Sequence, residues 1–225
     1  MSSGAEYYED NYADYERQTS ARKLDFYLEL VRTWVPRGSR LHELGVGLGH
    51  FLERASAEYD CSGSDVNGYG VLRARTRAPR ARLFEGSCEA IPAIDAPRAI
   101  VAWDVLEHLP DLEAGLATIR DRLPEGGVLI AAVPVYDGPL GWLVRRLDRD
   151  PTHVTKWGRE DWRRALERQG FEIADWGGIV RRLVARRFNV HVTSPKLPLR
   201  WLGSAIWFVA RKGPSEARGR SAGSH

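Results

Sequence analysis

The stretch HELGVGLGHF, residues 42–51, places Gly45, Gly47 and Gly49 close together, two residues after the carboxylate of Glu43. The preceding residues SRLHEL predict a short β-strand, and the following GHFLERASAEY predicts a helix. A dinucleotide-binding turn reads G-x-G-x-x-G, and here the third glycine comes one position early. The stretch therefore predicts a strand, turn and helix unit that admits a ligand, with a tight turn that binds nothing as the alternative.

The same alternation of strand and helix continues along the chain. Strands are predicted in DCSGSD, ARLFEG, APRAIVAWD and GGVLIAAVP, and helices in GVLRARTRA and DLEAGLATIRDRL. Upstream, SARKLDFYLELVRTWV predicts a helix that Ser20 caps and Pro36 ends. Strands that alternate with helices are typical of an α/β fold with a mostly parallel, doubly wound sheet and helices on both faces.

The second half of the chain has a looser pattern. REDWRRALERQGF predicts a helix that ends at Gly170, FEIADWG and SAIWFVARK predict strands, and RRLVARRFNVHVTSPKLPLR predicts a helix and a loop. We expect an N-terminal cover or flexible segment at 1–19, one domain over 20–212 and a disordered tail at 213–225. Substrate-side insertions are expected at about 135–157 and 181–200.

Composition excludes several classes of protein. The 225 residues are 43% hydrophobic, which suffices for the core of one domain. The chain has two cysteines, no secretory leader pattern, and no apolar run near the roughly 20 residues that span a bilayer, so a cytoplasmic protein is expected. The net charge is +3, but residues 176–225 hold ten Arg or Lys against one acid, a local net charge of +9.

Polar residues follow the predicted strands where a ligand would lie in a doubly wound sheet. Asp65, with Val66 beside it, ends the second strand, 20 residues after Gly45, where an acid can bind both hydroxyls of a ribose. The other two predicted strand ends carry Ser87 with Cys88 and Trp103 with Asp104. Together with the glycines, these positions predict a site for one nucleoside-like ligand.

The chain resembles the class I S-adenosylmethionine-dependent methyltransferases, in particular the group related to ubiquinone-biosynthesis enzymes, over roughly residues 20–175. The resemblance is carried by ELGVGLG, SDV, GSCEAIP, WDVLEHLPDLEAGLATIRDRLPEGGVLIAAVP and DPTHVTKWGREDWRRALERQGFEI. It implies a Rossmann-like sheet of seven strands whose last strand is antiparallel. It also implies S-adenosyl-L-methionine as the cofactor and S-adenosyl-L-homocysteine as the product.

The resemblance also implies which residues contact the cofactor. It assigns the methionine moiety to Gly45, Gly47 and either Trp103 or Asp104, the ribose to Asp65 and Val66, the adenine to Ser87 and Cys88, and the methionyl carboxylate to Arg17 or Arg22. Glu43 belongs to the same set, although family members more often have Asp there. They also more often have Asp where Ser87 stands, so the adenine contact falls to the Ser87 hydroxyl or to a backbone N–H.

His153, in DPTHVTKW, is the first candidate for a catalytic base and His108 is the second. Histidine titrates near neutral pH and can remove a proton from an acceptor hydroxyl or amine. The alternative for His153 is a structural hydrogen bond to a nearby carbonyl or to Asp150. Tyr12, Tyr136 and Trp157 are candidates for the acceptor pocket, and no metal-ligand set is predicted.

These features predict a methyltransferase of a small or medium-sized acceptor in a biosynthetic pathway, with O-methylation favoured over N- or C-methylation. The alternatives are an inactive cofactor-binding partner of the same fold and an RNA or protein methyltransferase. The basic segment 181–200 leaves an anionic acceptor or weak contact with a membrane surface open. A nucleic-acid partner is not favoured because no recognition module flanks the domain, and the oligomeric state is open.

Overall fold

Eight strands and six α-helices alternate along the part of the chain that the computed structural model describes. These residues are 20–88, 96–138, 141–148, 152–184, 188–192, 200–201 and 203–214. The strands are β1 (Arg40–Leu44), β2 (Asp60–Asp65), β3 (Arg82–Glu85), β4 (Ala99–Trp103), β5 (Val128–Pro134), β6 (Phe171–Val184), β7 (Phe188–Val192) and β8 (Ala205–Lys212). The helices are α1 (Ala21–Trp34), α2 (His50–Ala55), α3 (Gly68–Arg77), α4 (Leu112–Arg122), α5 (Gly141–Leu147) and α6 (Arg159–Arg168), and a 3-10 turn spans Leu106–His108.

The strands form one sheet in the order β3-β2-β1-β4-β5-β8-β6-β7. β3, β2, β1, β4 and β5 are mutually parallel. β8 is antiparallel to both of its neighbours, β5 and β6. The predicted Rossmann-like architecture is therefore confirmed. Since the chain passes from β1 outward to β3 and then returns to β4 on the other side of β1, strand order reverses between β1 and β4, where such sheets bind ligands.

The prediction of a helix within 181–200 is wrong. β6 continues to Val184, and β7 pairs with it in antiparallel register from Val180 opposite Val192 to Val184 opposite Phe188. The residues Phe188, Val190 and Val192 alternate with polar ones, which is the period of a strand and not of a helix. β7 is thus an eighth strand added at the edge of the seven that were predicted.

The core lies on both faces of the sheet because successive strand residues point to opposite sides. In β5, Val128, Ile130 and Ala132 pack on the face that α1, α2 and α3 cover, and Leu129, Ala131 and Val133 pack on the face of α4 and α6. All seven residues of β5 are buried, as expected for a central strand covered on both sides. The sheet is therefore a rigid support for the loops at its edge.

Polar caps fix where the helices begin. Ser20 caps α1, as predicted, and its hydroxyl accepts a hydrogen bond from the Lys23 N–H at 3.3 Å. Asn67 caps α3 in the same way. The Asp111 carboxylate caps α4 by accepting from the Ala114 N–H at 2.9 Å.

Among the described residues, no helix is long and apolar enough to cross a bilayer.

Candidate functional site

The glycine turn after β1 lies at the point where strand order reverses. Gly45 and Gly49 have φ angles of 70° and 80°, in the left-handed region that favours glycine. A Cβ atom on Gly45 would overlap the side chain of Val105, and one on Gly49 would lie 2.9 Å from the Cα of Ala74. Glycine is therefore required where the turn packs closely against the β4 loop and α3.

Asp65, at the tip of β2, is held against this turn. Its Oδ2 accepts a hydrogen bond from the N–H of Gly47 at 2.8 Å, and its Oδ1 accepts from the N–H of Asn67 at 2.8 Å. Burial raises the pKa of the Asp65 carboxyl, and these two hydrogen bonds oppose the rise. The structure thus joins Asp65 and Gly47, two of the predicted cofactor residues, and the ribose contact itself stays a prediction.

Glu43 lies beneath the same turn and is 3% exposed. Its Oε2 has no hydrogen-bond partner among the described residues. Burial, and secondarily the charge of Asp65, raise the pKa of the Glu43 carboxyl well above its ordinary value. A cationic ligand above the turn would relieve this cost, because it offers positive charge to two buried carboxyls. S-adenosylmethionine carries a sulfonium and an ammonium group, so these residues fit it.

The tip of β4 supplies the predicted residues on the methionyl side. Trp103 stacks on Tyr27 with ring centroids 4.0 Å apart and planes 5° apart, so α1 covers the strand end. Asp104 has a φ of 58°, a left-handed conformation that is uncommon outside glycine and that clusters at functional sites. The Lys23 ammonium donates to its Oδ2 at 3.1 Å.

Lys23 is a residue that sequence reasoning missed. It lies one helical turn before Tyr27 in α1, and its ammonium is 5.7 Å from the Tyr27 ring centroid. Helical spacing between a lysine and a buried aromatic could have indicated that this cation faces the sheet. Arg17 and Tyr12, which were predicted for the carboxylate and the acceptor, lie outside the described residues. Arg22, the other candidate for the carboxylate, is exposed on α1, and Lys23 is the described cation that contacts Asp104 at this strand end.

The predicted adenine side lies at the ends of β2 and β3. The N–H of Gly86 donates to the Asp65 carbonyl at 2.9 Å, which holds the two strand ends together. Cys88 is buried, Ser87 is half-buried, and Val66 is 71% exposed, so the Val66 side chain is accessible beside Asp65. These residues surround one strand end, and their contacts with an adenine stay predictions.

A second polar cluster joins the predicted acceptor residues. The Tyr136 hydroxyl donates to Asp148 Oδ2 at 2.6 Å. His153 Nδ1 lies 3.0 Å from each Asp148 oxygen, and the Lys156 ammonium lies 2.9 Å from Oδ2. A structural hydrogen bond of His153 is therefore present, but its acceptor is Asp148, whereas the sequence suggested a carbonyl or Asp150, which lies outside the described residues. It does not exclude catalysis, because a carboxylate at Nδ1 also orients a histidine whose Nε2 acts on substrate.

The second histidine, His108, lies beside the first. Their ring centroids are 4.7 Å apart. The carbonyl of Glu107 accepts from the N–H groups of Val154 and Thr155 at 3.1 and 3.0 Å, and these bonds hold the β4 loop against the loop of His153. The predicted pair His153 and His108, from sequence positions 45 residues apart, thus forms one cluster next to the β4 tip.

Trp157, the remaining acceptor candidate, lies next to this cluster through the backbone. Its carbonyl accepts from the N–H of Tyr136 at 3.0 Å, and its ring meets Trp162 edge-on at 5.4 Å. A cavity of about 130 Å³ lies on the α6 side of the sheet, between Trp162, Trp176 and Trp201. None of the predicted site residues lines that cavity.

Comparisons with known proteins agree with this geometry. A family model described as a methyltransferase domain matches residues 14–175. A search of curated proteins finds no significant match. Among solved structures, a SAM-dependent methyltransferase from Thermotoga maritima has a TM-score of 0.67 and 17% identity, covering 91% of this chain and 98% of that one.

Two further structures show the range of this fold. The N-methyltransferase NodS from Bradyrhizobium japonicum, in complex with S-adenosyl-L-homocysteine, has a TM-score of 0.62 and 15% identity, covering 86% of this chain and 87% of NodS. The cyclase SpnF has a TM-score of 0.62 and 20% identity, covering 84% of this chain and 80% of SpnF. At these identities the likeness concerns the fold, and the reaction must be argued from the site.

Proposed function

Because the chain belongs to the S-adenosylmethionine-dependent class I methyltransferases, we propose that it methylates a hydroxyl group of a small or medium-sized molecule. The observation that carries this proposal is the pair of histidines beside the β4 tip, with His153 oriented by Asp148. A hydroxyl acceptor must lose its proton as it is methylated, whereas an amine that binds neutral requires no strong base. Oriented imidazoles next to the cofactor site support the hydroxyl.

The residues on the cofactor side of the site have three roles. The glycine turn lets the ligand approach the backbone, Asp65 accepts from the ribose, and the aromatic cover of Tyr27 and Trp103 excludes water. Lys23 and Asp104 are placed to pair with the carboxylate and the ammonium of the methionyl end. When bound, S-adenosylmethionine supplies an electrophilic methyl group on its sulfonium.

The acceptor half positions the nucleophile. In-line geometry supplies most of the rate in such a displacement, and it requires the acceptor to be held on the far side of the methyl group from the sulfur. Tyr136 and Trp157 line this side, and His153 assists loss of the proton. We further propose that the acceptor is anionic, because the net charge of +9 over residues 176–225 would attract it. A biosynthetic role in the cytoplasm is part of the same proposal and rests on the sequence resemblance.

Cofactor binding is tested by calorimetric titration with S-adenosylhomocysteine. Replacing Asp65 by Asn removes a charged acceptor, and hydrogen bonds to charged groups contribute about 1.5–3 kcal/mol, so affinity should fall about 10- to 100-fold. The matched control is Asp60→Asn, at the opposite and exposed end of β2, which should leave affinity unchanged. Failure of the intact protein to bind, or equal affinity of the two variants, would contradict the assignment.

Acceptor chemistry is tested by measuring S-adenosylhomocysteine formation with a panel of phenols and a matched panel of amines. We expect turnover with phenols, and we expect His153→Asn to lower kcat while cofactor affinity stays the same. Turnover with amines alone, unchanged by His153→Asn, would overturn O-methylation. Cofactor binding without turnover on either panel would favour the inactive partner protein.

A further inference from the structure

The two histidines and Glu107 form a cluster that methyl transfer alone does not account for. One possible ligand atom from each of Glu107, His108 and His153 lies within 4.8 Å of the others. Glu107 is 1% exposed, and a carboxylate is buried at low cost only where hydrogen bonds or positive charge accompany it. Two imidazoles and one carboxylate are a set that divalent transition metals bind while leaving positions open.

The hydrogen bonds that the imidazole rings of His108 and His153 make also fit a metal site. His108 Nδ1 lies 3.1 Å from the carbonyl oxygen of Thr152 and 2.9 Å from its hydroxyl oxygen. The carbonyl can only accept, which favours the tautomer with the proton on Nδ1. His153 Nδ1 lies 3.0 Å from the carboxylate of Asp148, which fixes the same tautomer. In both rings the lone pair is then on Nε2. Histidines that ligate metals almost always donate their other N–H to a carbonyl or a carboxylate in this way.

The neighbouring charges are compatible with a cation at this position. Among the described residues, His153 and Lys156 contact Asp148, and the Lys156 ammonium approaches Oδ2. Asp148 therefore balances the Lys156 charge next to the cluster. Two backbone hydrogen bonds onto the Glu107 carbonyl hold the two ligand-bearing loops together, so the ligands are positioned before any ion binds.

We propose that Glu107, His108 and His153 bind one divalent transition-metal ion, of the zinc, cobalt or manganese class, which coordinates the oxygen of the acceptor. Two nitrogen ligands favour this class over magnesium or calcium, which prefer oxygen. The role of the ion rests on the proposed function, but its binding does not.

With its Nε2 on the metal, His153 would not take the proton itself. It would assist the reaction by holding the cation, which lowers the pKa of a coordinated hydroxyl. The acceptor O–H proton leaves to solvent, and an oxygen–carbon bond forms as the carbon–sulfur bond breaks. The sulfur keeps the electron pair of the broken bond. No oxidant or second substrate is needed.

The test uses full-length protein without a histidine tag, treated with a chelator and desalted. Titration with zinc or cobalt chloride should show one equivalent bound, and cobalt should give a visible d–d spectrum. His108→Gln and His153→Gln should each weaken binding at least about tenfold, and Asp148→Asn about 10- to 100-fold through the orientation of His153. The matched control is His50→Gln at the start of α2, which should bind the metal as the natural chain does.

Absence of stoichiometric binding to the natural chain, or binding that neither histidine variant weakens, would overturn the proposed site. Cofactor titration is run on the same samples to show that each variant is folded. The two proposals fail separately. A chain that binds the metal but methylates only amines refutes the proposed function and leaves the metal site standing. A chain that methylates phenols and binds no metal refutes the metal site and leaves the proposed function standing.

Discussion

His42 gives a pH dependence of stability that can be worked out from the structure. The ring lies in β1 and is completely buried, with Nδ1 2.9 Å from Ser62 Oγ and Nε2 3.3 Å from Ser64 Oγ. Burial lowers the pKa of His42 from 6.5 to about 4. The unfolded chain therefore binds a proton between these two pH values that the folded chain does not, and stability falls as pH falls through this window.

The size of the effect follows from the two values. Their difference, at about 1.4 kcal/mol per pH unit, corresponds to about 3 kcal/mol when the window has been crossed completely. At about pH 5 the folded chain should already have lost about 2 kcal/mol of its stability at about pH 7.5 through His42 alone. Glu43 and Asp65 act in the opposite direction, because their pKa values are raised by burial.

The assay is urea unfolding at both pH values for the natural chain and for His42→Asn, which cannot titrate. Each chain gives a change in the free energy of unfolding between the two pH values. Because both chains keep Glu43 and Asp65, the difference between these two changes is due to His42. Leu41→Ala, an equally buried neighbour in β1, controls for destabilisation as such and should show the same change as the natural chain. If His42→Asn loses as much stability as the natural chain between about pH 7.5 and 5, the assignment of a neutral buried imidazole is refuted.

Three further outcomes are expected. Gly49→Ala and Gly38→Ala both place alanine in a left-handed conformation, which costs about 1–2 kcal/mol. Only at residue 49 does the new Cβ also lie 2.9 Å from the Ala74 backbone, so chemical denaturation should show Gly49→Ala to be the less stable variant. Burial raises the pKa of the Glu43 carboxyl, so its ionisation destabilises the folded chain as pH increases above about 4.5. The melting temperature of Glu43→Gln should therefore rise relative to that of the natural chain over this range, and melting temperatures that change in parallel with pH would contradict this. Burial raises the pKa of Cys61 to about 12, so in a Cys88→Ala background a thiol reagent at about pH 8 should react only after denaturation, and rapid reaction of the folded chain would exclude this.

Local signals in the sequence were sufficient for most of the fold. Asp111 and Gly170 mark a helix start and a helix end in the sequence, and both are found there in the structure, with Asp111 as an N-cap and Gly170 at a φ of 78°. The basic residues around 181–187 obscured the alternation of Phe188, Val190 and Val192, so the hairpin of β6 and β7 was predicted as a helix and a loop. Arginine is compatible with either structure, and pairing with β6 decides between them.

The candidate site was predictable where its residues directly follow strands. Asp65 and Asp104 end or follow β2 and β4, so topology alone brings them to one edge. Asp148 and Lys23 could not be found in this way, because each reaches the site from a loop or helix through a tertiary contact. No sequence spacing specifies that Asp148 accepts from His153, and Asp150, which the sequence suggested, lies outside the described residues.

β8 is the last strand among the residues that the structure describes, yet it occupies an interior position in the sheet. β6 joins the sheet through β8, and β7 joins it through β6. While the chain is being translated, β5 keeps an unpaired edge until residues 205–212 have left the ribosome, and the hairpin of β6 and β7 has no strand to dock on. A stop codon shortly before Ala205 would therefore remove β8 and leave β6 and β7 without a partner strand, so that three of the eight strands would be missing from the sheet.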